Sequence, residues 1–493
     1  MAAQVSFPLA ASRRLTLNLP SLDAVGLLTG VLYLVFFGFG FASFTDPDYF
    51  WHLETGEQIV RTLSIPRHDV FSFTANGTPL LDHQWLSEAA IYLSVRGLGY
   101  AVTLGLFVAI TLASFGLMQR LLLRIGTPPG AALGLVALAM LISAPFWTVR
   151  PQLLSWFLLA VFVNTLVGRT KTPWVLVPLV ALWANLHLGY IVGLGVVTLW
   201  FLSRAWERLS GDREIDLRWP ALFVAACFAA SLLNPNGYVP IERSLSYLPF
   251  VSSDVSAQGI SELESPDFSQ PIHLPLLAGI LVLIGLTMAG RVRDRFVLLL
   301  AIAFTAMALQ VARYQPLFAI AYLPAAGLAA KELLSRERRP GAPARSTLNW
   351  ALLAVAAIAV LVAIPQLPGA QVHREPITDG RTMYPAEALA WVQEHRPDAN
   401  VYTTHMWGGY FINSLYPDGH VYIDGRSDMY GGQRFEDYRA IINADEGWQA
   451  LLESSGADTV VLLRTERAAV ALRDAEGWSL ALRTPYADVF VRD

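Results

Sequence analysis

Apolar positions come in long blocks through the first three quarters of the chain, and near Pro365 the blocks stop. Predominantly apolar runs lie at 22–44, 99–119, 128–147, 151–168, 173–187, 188–203, 218–233, 273–290, 296–311, 314–330 and 347–365. A helix crossing a bilayer needs about 20 such residues, fewer where the local membrane is thin. The pattern therefore predicts an α-helical polytopic membrane region over residues 1–366 with about eleven transmembrane helices. Asn185 and His187 interrupt what would otherwise be one long segment, so 173–187 and 188–203 are read as two short spans. An odd number of crossings puts the two ends of the chain on opposite sides.

Two stretches between the apolar runs, 45–98 and 234–271, are too long to be simple connectors. In the first, Trp51–Thr62 has the spacing of a short amphipathic helix and His83–Arg96 is helical again. Between them Ile65–Pro79 combines turn residues with alternation, which predicts extended structure. From 373 to 493 the pattern is that of a soluble α/β domain. Pro385–His395 suits a helix with proline in its first turn, and 434–442 and 446–455 are helical. Val401–Thr404, Val421–Asp424, Thr459–Leu463 and Val489–Arg492 read as strands.

Charge distribution orients the layout. With 54% hydrophobic and 15% charged residues among 493, the chain is far from soluble composition. Within the membrane part, eighteen lysines and arginines fall on one side of the predicted layout and six on the other: Arg61, Arg67, Arg96, Arg150, Arg243 and Arg313. Basic residues stay in the cytoplasm. The N-terminus is thus expected inside, and the two long loops and the C-terminal domain outside. The net charge of −4 says little about partners, whereas the lack of a basic cluster argues against nucleic acid. Cys227 is the sole cysteine, so no disulfide holds the outer domain. The first apolar run is too long for a cleaved signal and no small-x-small site follows it. No Gly-x-Gly-x-x-Gly or Walker lysine supports a nucleotide site.

Candidate chemistry gathers at the predicted outer ends of the helices. Asp46-Pro47-Asp48 stands at the exit of the first span, followed by Tyr49, Phe50, Trp51 and His52. Carboxylates at a membrane boundary are costly, and such residues mark functional sites. Asp46 and Asp48 are the candidate catalytic pair, suited to act as general base or to hold a divalent cation, Mg²⁺ or Mn²⁺. As aspartates they would equally cap the loop helix. His52, Arg67, His83, Glu88, Arg150, His187 and Arg313 are candidate substrate-binding residues. Arginine and histidine at that depth suit a phosphate or pyrophosphate, arginine through its bidentate fork; the bland reading of Arg150 and Arg313 is headgroup anchoring. In the tail, Tyr410 and Arg426, within WGGYF and DGRSD, would reach the site if the tail folds back over it.

The run DPDYFWHLETG, continued by IPRHDVFSFT and LDHQWLSEAA and later by WGGYF and VYIDGRSDMYG, resembles the first-loop signature of GT-C-fold glycosyltransferases and a group of uncharacterised bacterial multi-spanning proteins placed with them. By that resemblance the chain is a membrane glycosyltransferase of the bacterial inner (plasma) membrane. It would take a polyprenyl-phosphate-linked sugar and transfer the glycosyl group to a glycan, lipid or protein acceptor on the outer face, with Asp46 as the catalytic or metal-binding carboxylate. The sequence has no Trp-Trp-Asp pattern, so an oligosaccharyltransferase role is not implied. The alternatives are a transporter or flippase of lipid-linked glycans, which would place charges near the midplane, and a non-catalytic assembly scaffold.

Overall fold

The computed structural model describes residues 21–42, 46–169, 171–246, 261–334, 346–367, 370 and 384–493. Residues 1–20, with the predicted cytoplasmic Arg13 and Arg14, lie outside them, as do the middle of the second long loop and most of the connection to the tail.

Every predicted apolar run coincides with a helix. In chain order these are α1 (Ala24–Phe39), α2 (Asp48–Thr62), α3 (Trp85–Leu98), α4 (Tyr100–Ile125), α5 (Pro129–Ser143), α6 (Gln152–Leu166), α7 (Leu176–Leu186), α8 (Tyr190–Leu209), α9 (Arg218–Ser231), α10 (Val239–Ser246), α11 (Leu274–Ala289), α12 (Arg295–Gln310), α13 (Gln315–Ala321), α14 (Leu323–Leu334) and α15 (Ser346–Ala363). Among the described residues four helices are long and apolar enough to cross a membrane, or five if the bent pair Ala312–Ala321 and Leu323–Leu334 counts as one span. Five others there are apolar but shorter: α1, α6, α7, α9 and α12. Local chemistry sets the ends. Asp23 accepts the backbone N–H of Gly26 at 2.7 Å and Asp294 that of Val297 at 3.1 Å, capping α1 and α12. Gly99, at φ +81°, breaks α3 from α4.

The helices bury an extensive apolar core, with Trp147, Trp183, Trp200 and Phe223 almost fully enclosed. α15 is different. It rests on α1, where Leu353 packs onto Gly30, and turns Leu352, Val355, Ile358, Leu361 and Val362 outward. An apolar face of that length needs a lipid environment.

The tail carries a five-stranded sheet of order β2-β1-β3-β5-β4, with β1 (Asn400–Thr403), β2 (His420–Val421), β3 (Thr459–Leu463), β4 (Trp478–Arg483) and β5 (Ala487–Arg492). β2, β1 and β3 run parallel; β5 and β4 are antiparallel. Helices α16 (Ala386–His395), α17 (His405–Leu415), α18 (Ser427–Ile442), α19 (Trp448–Ser455) and α20 (Arg467–Leu472) complete it. The pattern missed β4, whose exposed face blurs its alternation, and missed α17, whose glycine pair reads as a turn. Those glycines serve close approach instead: a Cβ on Gly408 would stand 2.2 Å from the Ile423 carbonyl, and one on Gly409 2.8 Å from that of Pro47.

The first long loop docks onto this sheet. Ser72 pairs with Val421 as a parallel bridge, with Phe73 N–H donating to the Val421 carbonyl and Val421 N–H to that of Phe71, so the loop extends the β2 edge. Only such isolated bridges form between 65 and 79, short of the extended run the alternation predicts. Beneath lies a buried ion cluster. Arg426 is 2.7 Å from Asp69 of the loop and 2.6 Å from Asp424, and its guanidinium lies 4.9 Å from the centre of the Phe71 ring. Tyr430 donates to Asp424 as well. Burial alone would raise the Asp424 carboxyl, but Arg426 outweighs it and holds it below the usual range. Replacing Arg426 by Met leaves two buried carboxylates without their cation. The loss of stability expected is about 3–5 kcal/mol, measured as a lower thermal midpoint of the purified protein.

Candidate active site

The turn leaving α1 carries Asp46 into α2, and its carboxylate has two tasks. Oδ1 accepts the backbone N–H of Asp48 at 3.0 Å, a capping contact, and lies 2.7 Å from Arg150 Nη2. Asp48 Oδ2 is 2.6 Å from the same Nη2, while its Oδ1 accepts the Trp51 indole N–H at 3.1 Å. Arg150 stands in the turn before α6, and its other terminal nitrogen reaches both Glu262 oxygens at 3.4 Å. Arg313, in the 3₁₀ turn Ala312–Tyr314, lies 3.4 Å from Glu262 and donates to Gln152 at 3.3 Å. The Ala312 N–H donates to the Glu264 carbonyl at 2.9 Å, which pins this part of the second long loop over the site.

These groups are largely withdrawn from water: side-chain exposure is 12% for Arg150 and Asp46 and 19% for Asp48. Burial pushes the Asp48 carboxyl up to about 6; Arg150 opposes the shift and Asp46 adds to it. Burial likewise works against the charge on Arg150, but Asp46, Asp48 and Glu262 outweigh it and hold the guanidinium firmly protonated. Its Nε is buried with no acceptor among the described residues.

Histidines form the adjoining wall. His52, one turn after Asp48, meets Glu88 of α3 at 2.9 Å with both side chains buried. His187 sits at the break between α7 and α8. Its Nδ1 accepts the Gly189 N–H at 3.0 Å and lies 2.8 Å from the Ser155 hydroxyl, which itself accepts from Trp183, so Nε2 carries the ring proton. The His83 ring is 6.3 Å from that of His187. Trp85 donates to Asn185 at 3.0 Å and Ser87 to the Leu186 carbonyl at 2.6 Å, fixing α3 against the same break. Burial, followed by Arg150, His187, His83 and Arg313, lowers His52 well below the ordinary imidazole range and keeps it neutral.

The tail closes the other side. Gly425 approaches so closely that a Cβ there would meet Asp48 Oδ1. Phe50 packs edge-on to Tyr384 and Tyr410, with ring centres 4.7 and 5.0 Å away. Burial first, and then Asp46, raises the Tyr384 hydroxyl well above the phenol range, so this ring borders the acidic pair.

Of the residues predicted from sequence, Asp46, Asp48, His52, His83, Glu88, Arg150, His187 and Arg313 come together at one end of the helical layer. Tyr410 is in the aromatic wall behind them. Arg67 stands apart, exposed, with contacts to Asn236 at 3.2 Å and the Pro235 carbonyl. Arg426 belongs to the ion cluster between loop and tail. Sequence reasoning passed over Asp82 and Tyr384, and gave Gln152 and Glu262 no named role. Glu262 and Gln152 were visible as polar residues at predicted outer ends, whereas no local signal marks Tyr384.

The donor set for a divalent cation does not fit here. Arg150 already bridges both aspartates, and no group of three or more histidine, cysteine, aspartate or glutamate side chains capable of holding a metal occurs among the described residues.

By sequence, no protein-family model and no curated protein matches the chain. By structure it is similar to the archaeal oligosaccharyltransferase AglB from Archaeoglobus fulgidus, solved with an inhibitory peptide and a dolichol-phosphate. The TM-score is 0.56 at 12% identity, over 89% of this chain and 69% of that one. It is also similar to the arabinofuranosyltransferase AftD from Mycobacteria, with a TM-score of 0.50 at 15% identity over 96% of this chain. The chain spans 40% of the length of that larger protein. Both are glycosyltransferases of the GT-C fold, and the chain described here has that fold.

Replacing Arg150 by Gln should leave Asp46 and Asp48 facing each other without a cation. Protonation relieves that repulsion. The fall in thermal midpoint relative to wild type is expected to be larger at about pH 8 than at about pH 5. Unfolding scans at both values would show it, and equal losses would mean that the pair is not held by Arg150.

Proposed function

We propose that the chain is an integral membrane glycosyltransferase that moves a sugar from a polyprenyl-phosphate donor to an acceptor on the outer face of the membrane. The observation that carries this reading is the convergence of a buried acidic pair with two arginines and three histidines, at one end of an apolar helical layer of GT-C fold. A lipid tail fits among the helices while its phosphate stays at their ends, where Arg150, Arg313 and His187 stand. Arg150 keeps an unused buried donor at Nε, and the His187 Nε2–H is a second.

In the proposed reaction the acceptor oxygen attacks the anomeric carbon as the bond from that carbon to the carrier phosphate breaks. Asp46 or Asp48 takes the acceptor proton, and the polyprenyl phosphate leaves with the bonding electrons, stabilised by Arg150, Arg313 and His187. Direct displacement inverts the anomeric centre. The residues 1–366 would form the membrane domain and 373–493 the outer domain that overhangs the site, with the N-terminus in the cytoplasm and about eleven crossings.

Two outcomes test the chemistry. Purified wild type, given a panel of polyprenyl-phosphate sugars with candidate acceptors, should release carrier phosphate, and Asp46→Asn should lower turnover at least about 100-fold, the lower range for loss of a general base. Asp48 is raised to about 6, so activity should fall on the acid side as pH drops through about 6 and the carboxylate that helps take the proton becomes neutral. Equal turnover by wild type and Asp46→Asn would remove the first-loop pair from the mechanism.

A further inference from the structure

Behind His52 the structure holds a buried chain of three ionisable groups that the transfer reaction does not use directly. His52 Nδ1 is 2.9 Å from Glu88 Oε1, with side-chain exposures of 4% and 1%. Glu88 in turn lies within hydrogen-bonding reach of the Asp82 carboxyl, itself buried. Asp82 Oδ1 accepts the Gln84 N–H at 3.0 Å at the start of α3. That leaves Glu88 Oε2 and Asp82 Oδ2, both buried and both without a donor among the described residues. The Gln84 amide nitrogen lies 3.5 Å from His52 Nδ1, at the limit of a hydrogen bond and longer than the Glu88 contact, and also acts on Glu88.

Two neighbouring ionised carboxylates cannot satisfy each other, since an ionised carboxylate only accepts. A buried acceptor without a donor is expensive, and two like charges in contact more so. One proton between them removes both costs. The charged groups around the chain do not change this. Arg67 approaches Asp82 from the loop, and Arg426 acts on Glu88 only weakly from the tail cluster. On the far side Arg150 and Arg313, with His83 and His187, disfavour a proton charge on His52.

We infer that Asp82 and Glu88 share a single proton, and that this pair holds His52 as the tautomer with its proton on Nδ1, donating to Glu88, and its lone pair on Nε2. Asp82 and Glu88 are then positioning residues: one carboxyl takes the proton so that the other can receive His52. The neutral ring supplies an acceptor at Nε2 beside Asp48, of use to an acceptor hydroxyl in the site. That last use rests on the transferase reading, but the shared proton and the tautomer do not.

Burial supports the direction, raising Glu88 well above the usual carboxyl range, with Asp82 adding to the shift, and Asp82 itself to about 6.

The test needs neither donor nor acceptor, so it can fail independently of the proposed activity. Infrared difference spectra at neutral pH between wild type and Glu88→Gln, and between wild type and Asp82→Asn, should each show the carbonyl band of one protonated carboxyl in the wild type only. Both amides reproduce the shared-proton geometry, an N–H of the amide replacing the O–H. Nitrogen NMR of labelled histidine, with His52 assigned by its loss in His52→Gln among nine histidines, should find the Nδ1–H tautomer in wild type and in both amide variants. Glu88→Leu should lose that tautomer preference. Absence of the band in wild type, its survival in both variants, or an Nε2–H tautomer in wild type would overturn the inference.

Discussion

A charge taken out of water beside apolar helices must find a partner, and this requirement organises the molecule. Arg150 answers it at the end of the helical layer, drawing Asp46, Asp48 and Glu262 onto one guanidinium. These carboxylates come from two separate loops, and the arginine from the turn before a third helix. The ion pairs thereby settle where the ends of α1, α5 and α6 and the second long loop meet. Breaking one partner away would strand the rest in a low dielectric, so the contacts hold as a group.

The same requirement joins the two ends of the chain. Arg426 holds Asp69 of the first loop and Asp424 of the tail, and the loop adds Ser72 and Phe73 to the sheet edge above. Gly409 and Gly425 then let the tail backbone settle directly on Pro47, Trp51 and Asp48. The acidic pair is in this way roofed by residues more than 300 positions further along the chain. Close packing fixes the roof, because larger residues at those glycines would strike backbone or carboxylate rather than a yielding side chain.

Much of this is legible in the sequence alone. Apolar runs located the helices because burial in lipid or core demands them regardless of tertiary detail. Asp46-Pro47-Asp48 stood out because carboxylates are rare where an apolar helix ends. Pairwise alliances were not legible. Arg426 and Arg150 read alike, as arginines near acidic residues at the outer side, yet Arg150 meets the Asp46–Asp48 pair and Arg426 the cluster between loop and tail; only three-dimensional proximity separates them. Tyr384 was hidden because a lone aromatic before a helix carries no chemical signature. The short helix α17 was hidden because glycine weakens the helical signal where backbone contact requires it.

The roof over the acidic pair has a consequence for how the protein is made. As the chain emerges from the ribosome, Asp46 and Asp48 appear long before Tyr384, Gly409, Tyr410 and Gly425, which enclose them. Apart from α1, all of the apolar helices are made in between. A chain that stops short of the tail therefore carries the acidic pair without its roof.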